Sequence, residues 1–204
     1  MRKMRETEEQ SSELEEQKGR VQRERKQYLR EILNWVVYVA FLVAMVYLAN
    51  TFVTQRTMVS GNSMYPYLHD GDQLMMDKIS YRFRDPERFD IVVLRVDDGS
   101  EKGELYIKRI IGLPGETVQI KDGVVFIDGE QLEEAYGEEE IRNGGRATEG
   151  VTLGEDEYFV LGDNRNNSDD SRYDTVGNLK RDRIVGKAFV RLWPIDRIAI
   201  LKHQ

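Results

Sequence analysis

The stretch Thr117–Ile127 reads Thr-Val-Gln-Ile-Lys-Asp-Gly-Val-Val-Phe-Ile and carries the clearest fold signal in the chain. Two short apolar runs, Thr117–Ile120 and Val124–Ile127, flank the tripeptide Lys121-Asp122-Gly123. An Asp-Gly pair between such runs is typical of a tight hairpin, whose two turn positions need a positive φ. The stretch therefore predicts two antiparallel strands joined by a short turn.

Further short apolar runs lie on both sides of this hairpin and are bounded by turn residues. They are Gln73–Ile79, Ile91–Val96, Leu105–Ile111, Tyr158–Leu161 and Lys187–Trp193. Short strands at this spacing, without long helices between them, are typical of an all-β barrel or sandwich. The segment Glu130–Asp156 is acidic and Gly-rich and shows no dominant period. We expect it to form a variable cap or loop without catalytic residues.

The uncharged run from Ile32 to Val53 is the segment of this sequence apolar enough to enter a bilayer. A membrane-spanning helix needs about 20 such residues. A cleaved secretory signal is one alternative, but its apolar region is typically about 7–15 residues and lies nearer the N-terminus. A buried core helix is the other, and it usually has a polar face. We therefore predict a transmembrane helix at 32–54.

The charges around this run predict its orientation. Arg56 follows the run closely, whereas the twelve positions just before it hold five basic residues: Arg20, Arg23, Arg25, Lys26 and Arg30. Because cytoplasmic flanks carry the excess of Lys and Arg, the N-terminus should stay in the cytoplasm. The sequence thus predicts a charged cytoplasmic tail at 1–31, a single pass through the plasma membrane and an extracytoplasmic β-rich domain at 55–204.

Composition excludes several classes of function. The 204 residues carry a net charge of −7, which argues against a nucleic-acid partner, since that would need a clustered basic surface. The chain has no cysteine, so disulfides, thiolate metal sites and a cysteine nucleophile are excluded.

A candidate nucleophile lies shortly after the apolar run, in Met58–Pro66, which reads Met-Val-Ser-Gly-Asn-Ser-Met-Tyr-Pro. A serine hydroxyl needs a neighbouring base to become nucleophilic near neutral pH. The two histidines, His69 and His203, lie in a loop and next to the C-terminus. Lys108 has apolar neighbours that could remove water from its ammonium group and lower its pKa, so it is the better candidate.

Three blocks carry a family resemblance. They read Ser-Gly-x-Ser-Met-x-Pro at 60–66, Tyr-x-Lys-Arg-x-x-Gly-x-Pro-Gly at 106–115, and Gly-Asp-Asn-x-x-x-Ser-x-Asp-Ser-Arg at 162–172. In this order, behind one membrane anchor, they resemble bacterial type I signal peptidase over 57–193. The resemblance implies an antiparallel β catalytic core with a small inserted cap. It also implies a membrane-anchored serine endopeptidase that removes N-terminal signal peptides from exported preproteins and uses no cofactor.

The resemblance also assigns roles to residues. It implies that Ser63 is the nucleophile and that Lys108 is the general base. The other implied contacts are a hydrogen bond between Ser168 and the lysine amine, an ion pair between Asp170 and Arg172, and a pairing of Asp163 with Arg109.

This sequence lacks one hydrogen-bond donor that some family members offer to the oxyanion of the substrate. Some family members carry a serine two positions before the nucleophile, where this chain has Gly61. Ser60 lies one residue further away, so the backbone N–H of Ser63 is the safer donor.

Three alternatives remain open at this point. The acidic loop Asp163–Arg172 could bind a cation, although no calcium-loop pattern ending in glutamate is present. The chain could be an anchored β-rich binding module without catalysis. It could also resemble self-cleaving repressor-type proteases, which are soluble and bind DNA.

Overall fold

A computed structural model describes residues 25–47, 54–97, 99, 103–137 and 139–201. The chain divides into two compact units, residues 1–49 and 50–204. Most of the charged tail predicted at 1–31 and the residues 48–53 lie outside the described ranges.

The described part of the first unit is the helix α1 at Arg25–Tyr47, which by length and composition could cross a membrane. It begins seven residues before the predicted span, because the Arg, Lys, Gln, Tyr and Leu residues ahead of Ile32 are compatible with a helix. The predicted end at residue 54 is wrong by at least one residue, since Thr54 begins the first strand.

The second unit is built from short strands, as the spacing of apolar runs predicts. In the described residues they are β1 (Thr54–Met58), β2 (Gln73–Asp77), β3 (Ile91–Val96), β4 (Glu104–Gly112), β5 (Thr117–Lys121), β6 (Val124–Ile127), β7 (Glu130–Gln131), β8 (Val151–Thr152), β9 (Glu157–Leu161), β10 (Leu179–Lys180), β11 (Ile184–Trp193) and β12 (Ala199–Ile200). Short 3₁₀ turns at Ser80–Arg82, Gly145–Thr148, Arg181–Arg183 and Ile195–Arg197 connect some of them.

The strands form two antiparallel sheets. The larger has the order β1-β2-β11-β3-β4-β9-β10, with β12 paired to β11, and the smaller has the order β7-β6-β5-β8. The fold is therefore mainly β, with a small second sheet inserted between β4 and β9. This inserted sheet begins at Thr117, earlier than the cap expected at about 130–156, because the predicted hairpin is itself part of it.

The hairpin forms as its sequence predicts. Lys121 faces Val124 across the turn, and both residues between them have a positive φ, 51° at Asp122 and 79° at Gly123. Val118, Ile120 and other apolar residues of the small sheet share a core cluster with Phe159 on β9. This packing attaches the small sheet to the large one.

The serine-containing turn between β1 and β2 is held by a second apolar cluster. Met64 and Leu68 are fully buried there, together with Leu74 and Met76 of β2. Burying a side chain of this size contributes roughly 1.5–3 kcal/mol. The turn that carries Ser63 is thus fixed to the sheet by its own apolar residues.

Candidate active site

Ser63 lies on the turn formed by residues 60–68, which we call the serine turn. A backbone hydrogen bond joins the two flanks of this turn, from the N–H of Val59 to the carbonyl of Asp72. Another lies within the turn, from the N–H of Leu68 to the carbonyl of Met64. Gly61, with a φ of 83°, donates its N–H to the Asp70 carboxylate. The closed turn leaves Ser63 half-buried.

Lys108 comes from the middle of β4, where Val92 of β3 is its cross-strand neighbour. Its side chain reaches the serine turn, and Lys108 Nζ lies 2.9 Å from Ser63 Oγ in a hydrogen bond. The amine also lies 4.9 Å from the centre of the Tyr106 ring, as expected for residues two apart on one face of a strand. The structure therefore brings the predicted serine and lysine together.

The environment of Lys108 favours a neutral amine. The residue is only 3% exposed, and burial lowers its pKa from 10.5 to about 8. The carboxylates of Asp170, Asp169 and Asp163 act in the opposite direction and limit the drop in this pKa. An amine with a pKa near 8 is partly deprotonated at physiological pH, which a general base requires.

Ser63 and Lys108 lie in an open groove of about 250 Å³. Its walls are formed mainly by residues of β1, the serine turn and β4, together with Asp169. The lining residues are Met58, Val59, Ser60, Ser63, Met64, Glu104, Leu105, Tyr106, Ile107, Lys108 and Asp169. The candidate nucleophile and the candidate base therefore lie on the wall of one open groove.

The third block, residues 162–172, forms a loop after β9 that we call the support loop. The backbone N–H of Asn164 donates to the carbonyl of Ser63, and its side-chain amide donates to the carbonyl of Asn62. A Cβ atom at Gly162 would lie 2.4 Å from the carbonyl oxygen of Ser63. Only glycine allows this approach, so the support loop packs directly on the serine turn.

Two buried ion pairs fix the support loop, and both agree with the contacts expected from sequence. Arg172 donates to both oxygens of Asp170 at 2.8 and 2.9 Å. Arg109 on β4 donates to both oxygens of Asp163 at 2.8 and 2.6 Å. The Asp170 carboxylate also accepts the N–H of Gly162, which ties the loop to its own first residue.

The hydrogen bond expected between Ser168 and the lysine amine does not form. Ser168 Oγ is buried and has no hydrogen-bond partner, whereas the amine of Lys108 bonds to Ser63. A Cβ atom at Gly162 would lie 2.3 Å from this oxygen, so the hydroxyl packs against the start of the support loop. A role for Ser168 in orienting the lysine remains a prediction.

The remaining candidates have clear positions. Ser60 is exposed and lines the groove. The ring of His69 packs edge-on against Tyr65 with ring centres 5.2 Å apart, and it is not among the lining residues of the groove. His203 lies outside the described residues. Among the described residues, no group of three or more His, Asp or Glu side chains is placed to hold a metal ion.

Sequence reasoning missed two features of the site. Asn164 was part of the third block, but nothing in the local pattern indicated that it clamps the serine turn. Glu134 and Tyr136 lie in the segment expected to carry no catalytic residues, yet Glu134 binds Arg165 of the support loop and the Tyr136 ring lies against Arg109 of β4. A bidentate partner for a buried arginine cannot be identified from one sequence without an alignment.

An antiparallel β domain that holds a serine hydroxyl against a buried lysine amine has the parts of a serine hydrolase. Comparison with known proteins identifies the family. The family model described as signal peptidase, peptidase S26, matches residues 32–193. The chain belongs to this family and is a serine endopeptidase.

Two relatives, each 41% identical to this chain, agree with this assignment. The probable signal peptidase I-2 of Synechocystis sp. is 41% identical over 175 residues, which cover 82% of this chain and 78% of that protein. The signal peptidase I of Leptolyngbya laminosa is 41% identical over 157 residues, 74% of each chain. A crystal structure of a signal peptidase I from Enterococcus faecalis V583 is 37% identical and covers 51% of this chain and 97% of that chain, with a TM-score of 0.42.

Proposed function

We propose that the protein removes signal peptides from exported preproteins by a Ser63–Lys108 dyad. The observation that carries this proposal is the 2.9 Å contact between Lys108 Nζ and Ser63 Oγ at a buried lysine. The relatives named signal peptidase I supply the substrate class.

The chemistry follows from the protonation state of the lysine. Neutral Lys108 accepts the proton of the Ser63 hydroxyl as Oγ attacks the scissile carbonyl. The resulting ammonium then gives this proton to the leaving amine, and Ser63 keeps the acyl group. Lys108 next takes a proton from a water molecule that attacks the ester, and it returns that proton to Ser63 Oγ as the new carboxyl group leaves.

The oxyanion of each tetrahedral intermediate needs donors that are already in place. We assign the first donor to the backbone N–H of Ser63 and offer the hydroxyl of Ser60 as the second. Ser60 is suitable because it is exposed on the groove wall, in the same turn as the nucleophile.

Substrate binding is supported by the position of β1 at an edge of the large sheet. An extended peptide beside such an edge can form main-chain hydrogen bonds, and alternate side chains then enter pockets of the groove. Val59 and Met64 occupy the groove wall next to the serine, so shallow apolar pockets should select small side chains there.

We further propose that α1 anchors the protein in the plasma membrane, with the N-terminus in the cytoplasm and the catalytic domain outside. The support is the length of the helix and the excess of basic residues before its apolar run. Protease added to right-side-out spheroplasts should digest the domain after Arg56. Full protection until lysis would exclude this orientation.

The decisive experiment for the dyad is cleavage of a preprotein by the purified full chain and its variants. Ser63→Ala and Lys108→Ala should each abolish cleavage, and the double variant should be no worse, since both residues serve one proton transfer. Lys108→Arg should also be inactive, because a guanidinium group stays protonated. His69→Ala is the matched control and should retain activity.

The alternative of a binding module without catalysis predicts a different result. Such a protein would bind signal peptides equally well with Ser63→Ala and would never release a shorter product. Cleavage by folded Lys108→Ala, or its loss in folded His69→Ala, would show that lysine is not the base.

A further inference from the structure

Residues 132–137 and 139–142 of the inserted region, which we call the strap, run against the support loop. We propose that the strap is a positioning element of the active site and that Glu134 and Tyr136 are its positioning residues. This inference rests on the proposed function for its kinetic consequences, and on the contacts below for its structural ones.

The first connection is a buried ion pair. Both carboxylate oxygens of Glu134 accept hydrogen bonds from the Arg165 guanidinium, at 2.6 and 2.5 Å. The exposed fractions of the two side chains are 12% for Glu134 and 3% for Arg165. Arg165 in turn donates through Nε to the carbonyl of Gly162, at 3.1 Å. The strap is thus joined to the residue that packs on the carbonyl of Ser63.

The backbone of the strap is shaped to this arginine. The carbonyl of Tyr136 accepts a further hydrogen bond from Arg165. Gly137 has a φ of 82°, and a Cβ atom there would lie 2.9 Å from Arg165 Cγ. The strap therefore turns closely over the guanidinium at a position that favours glycine.

The second connection runs through aromatic rings. Arg109 Cζ lies 3.4 Å from the centre of the Tyr136 ring and 4.9 Å from the centre of the Tyr67 ring. Tyr67 belongs to the serine turn, and the two rings meet edge-on with centres 6.1 Å apart. Arg109 is fully buried and is also the partner of Asp163. One guanidinium thus links the strap, the serine turn and the support loop.

A third set of contacts closes the far end of the strap. The side chain of Asn166 in the support loop accepts the N–H of Arg142 and donates to the carbonyl of Glu140. The support loop is held on one side by the strap and contacts the serine turn on the other. Displacing the strap should therefore loosen the frame that sets the distance between Ser63 and Lys108.

The strap should affect kcat rather than KM, because it does not line the groove. The groove-lining residues given above include none of its residues, so its loss should leave peptide binding intact. Misplacing a catalytic group by about 1 Å costs on the order of 100-fold in rate. Glu134→Gln and Tyr136→Leu should lower kcat about 10- to 100-fold with little change in KM.

The test combines these variants with a matched control. Glu116→Gln breaks another bidentate pair, with Arg88, whose residues belong to neither the strap nor the support loop, and it should lower stability without lowering kcat. Tyr136→Phe keeps the ring over Arg109 and should restore most of the rate lost in Tyr136→Leu. Amide hydrogen exchange should accelerate at 162–167 and at 62–68 in Glu134→Gln and Tyr136→Leu, but not in the control.

The outcomes separate this inference from the proposed function. If the wild-type chain cleaves no preprotein, the proposed function fails, while the exchange data still show whether the strap holds the serine turn. Unchanged exchange at 62–68 in a folded Tyr136→Leu variant would overturn the inference. So would a rise in KM at constant kcat, because that would place the strap in substrate binding.

Discussion

The pH dependence of cleavage is the sharpest consequence of the buried lysine. As the proposed base, Lys108 is active only when its amine is neutral, and burial lowers its pKa to about 8. The neutral fraction is then about 9% at pH 7 and about 91% at pH 9. The value of kcat/KM should therefore rise about tenfold over this interval and level off above pH 9.

The ratio of kcat/KM at pH 9 to kcat/KM at pH 7 distinguishes the possible bases. An unperturbed lysine with a pKa of about 10.4 would give a rise of about 100-fold between pH 7 and 9, with no plateau. A histidine with a pKa of about 6.5 would give a rise of only about 1.3-fold. The free enzyme is the relevant state, because kcat/KM reports its ionisations.

The assay is the initial rate of cleavage of a fluorogenic preprotein peptide that has no group titrating between pH 7 and 9. Circular dichroism at each pH should verify that the full chain stays folded, and His69→Ala should reproduce the wild-type profile. A profile that is flat from pH 7 to 9, or that still rises steeply at pH 10, would refute the assignment of a desolvated lysine base.

Three further predictions concern the same site. Burial lowers the pKa of Lys108 from 10.5 to about 8, which costs the fold about 3 kcal/mol while the amine is charged. Lys108→Met should therefore have a higher free energy of unfolding in urea than wild type below pH 8. This difference in stability should shrink as the pH rises from 8 to 10.5, because in this interval the unfolded wild type still binds a proton at Lys108 and the folded wild type does not. Ser168→Ala should lower kcat more than it changes KM if the hydroxyl engages Lys108 during the reaction, and an unchanged kcat would reject that role. Asp170→Asn should reduce the free energy of unfolding by about 3–5 kcal/mol and lower activity with it, because Arg172 loses its buried partner; a stability equal to wild type would contradict this reasoning.

The strands could be predicted where local signals agreed. Ile91–Val96 and Val124–Ile127 have the predicted bounds, since each is a short apolar run closed by turn residues. Strand β1, Thr54–Met58, was missed because its sequence Thr-Gln-Arg-Thr-Met lacks an apolar run. It is an edge strand with several exposed residues, so its pairing with β2 depends on the rest of the sheet.

The contacts of the candidate site also divide into those that local motifs predict and those that they do not. Ser63 and Lys108 are 45 positions apart, and their pairing was predicted because motifs with a family resemblance surround both. No such motif indicates the contact of Glu134 with Arg165. Glutamate and arginine are exposed surface residues in most proteins, so their residue types do not predict a buried pair either. Their burial arises from tertiary packing of the inserted region, which a single sequence does not encode in any local pattern.

The two ion pairs of the support loop also explain how a lysine surrounded by carboxylates can serve as a base. Asp170, Asp169 and Asp163 each raise the pKa of Lys108, against the larger effect of burial. Two of these three carboxylates are paired with a bidentate arginine, Asp170 with Arg172 and Asp163 with Arg109. A charge paired at about 3 Å has a much weaker field at the amine than an isolated one. The arginines therefore fix the loop and, by compensating its carboxylates, allow burial to determine the protonation state of Lys108.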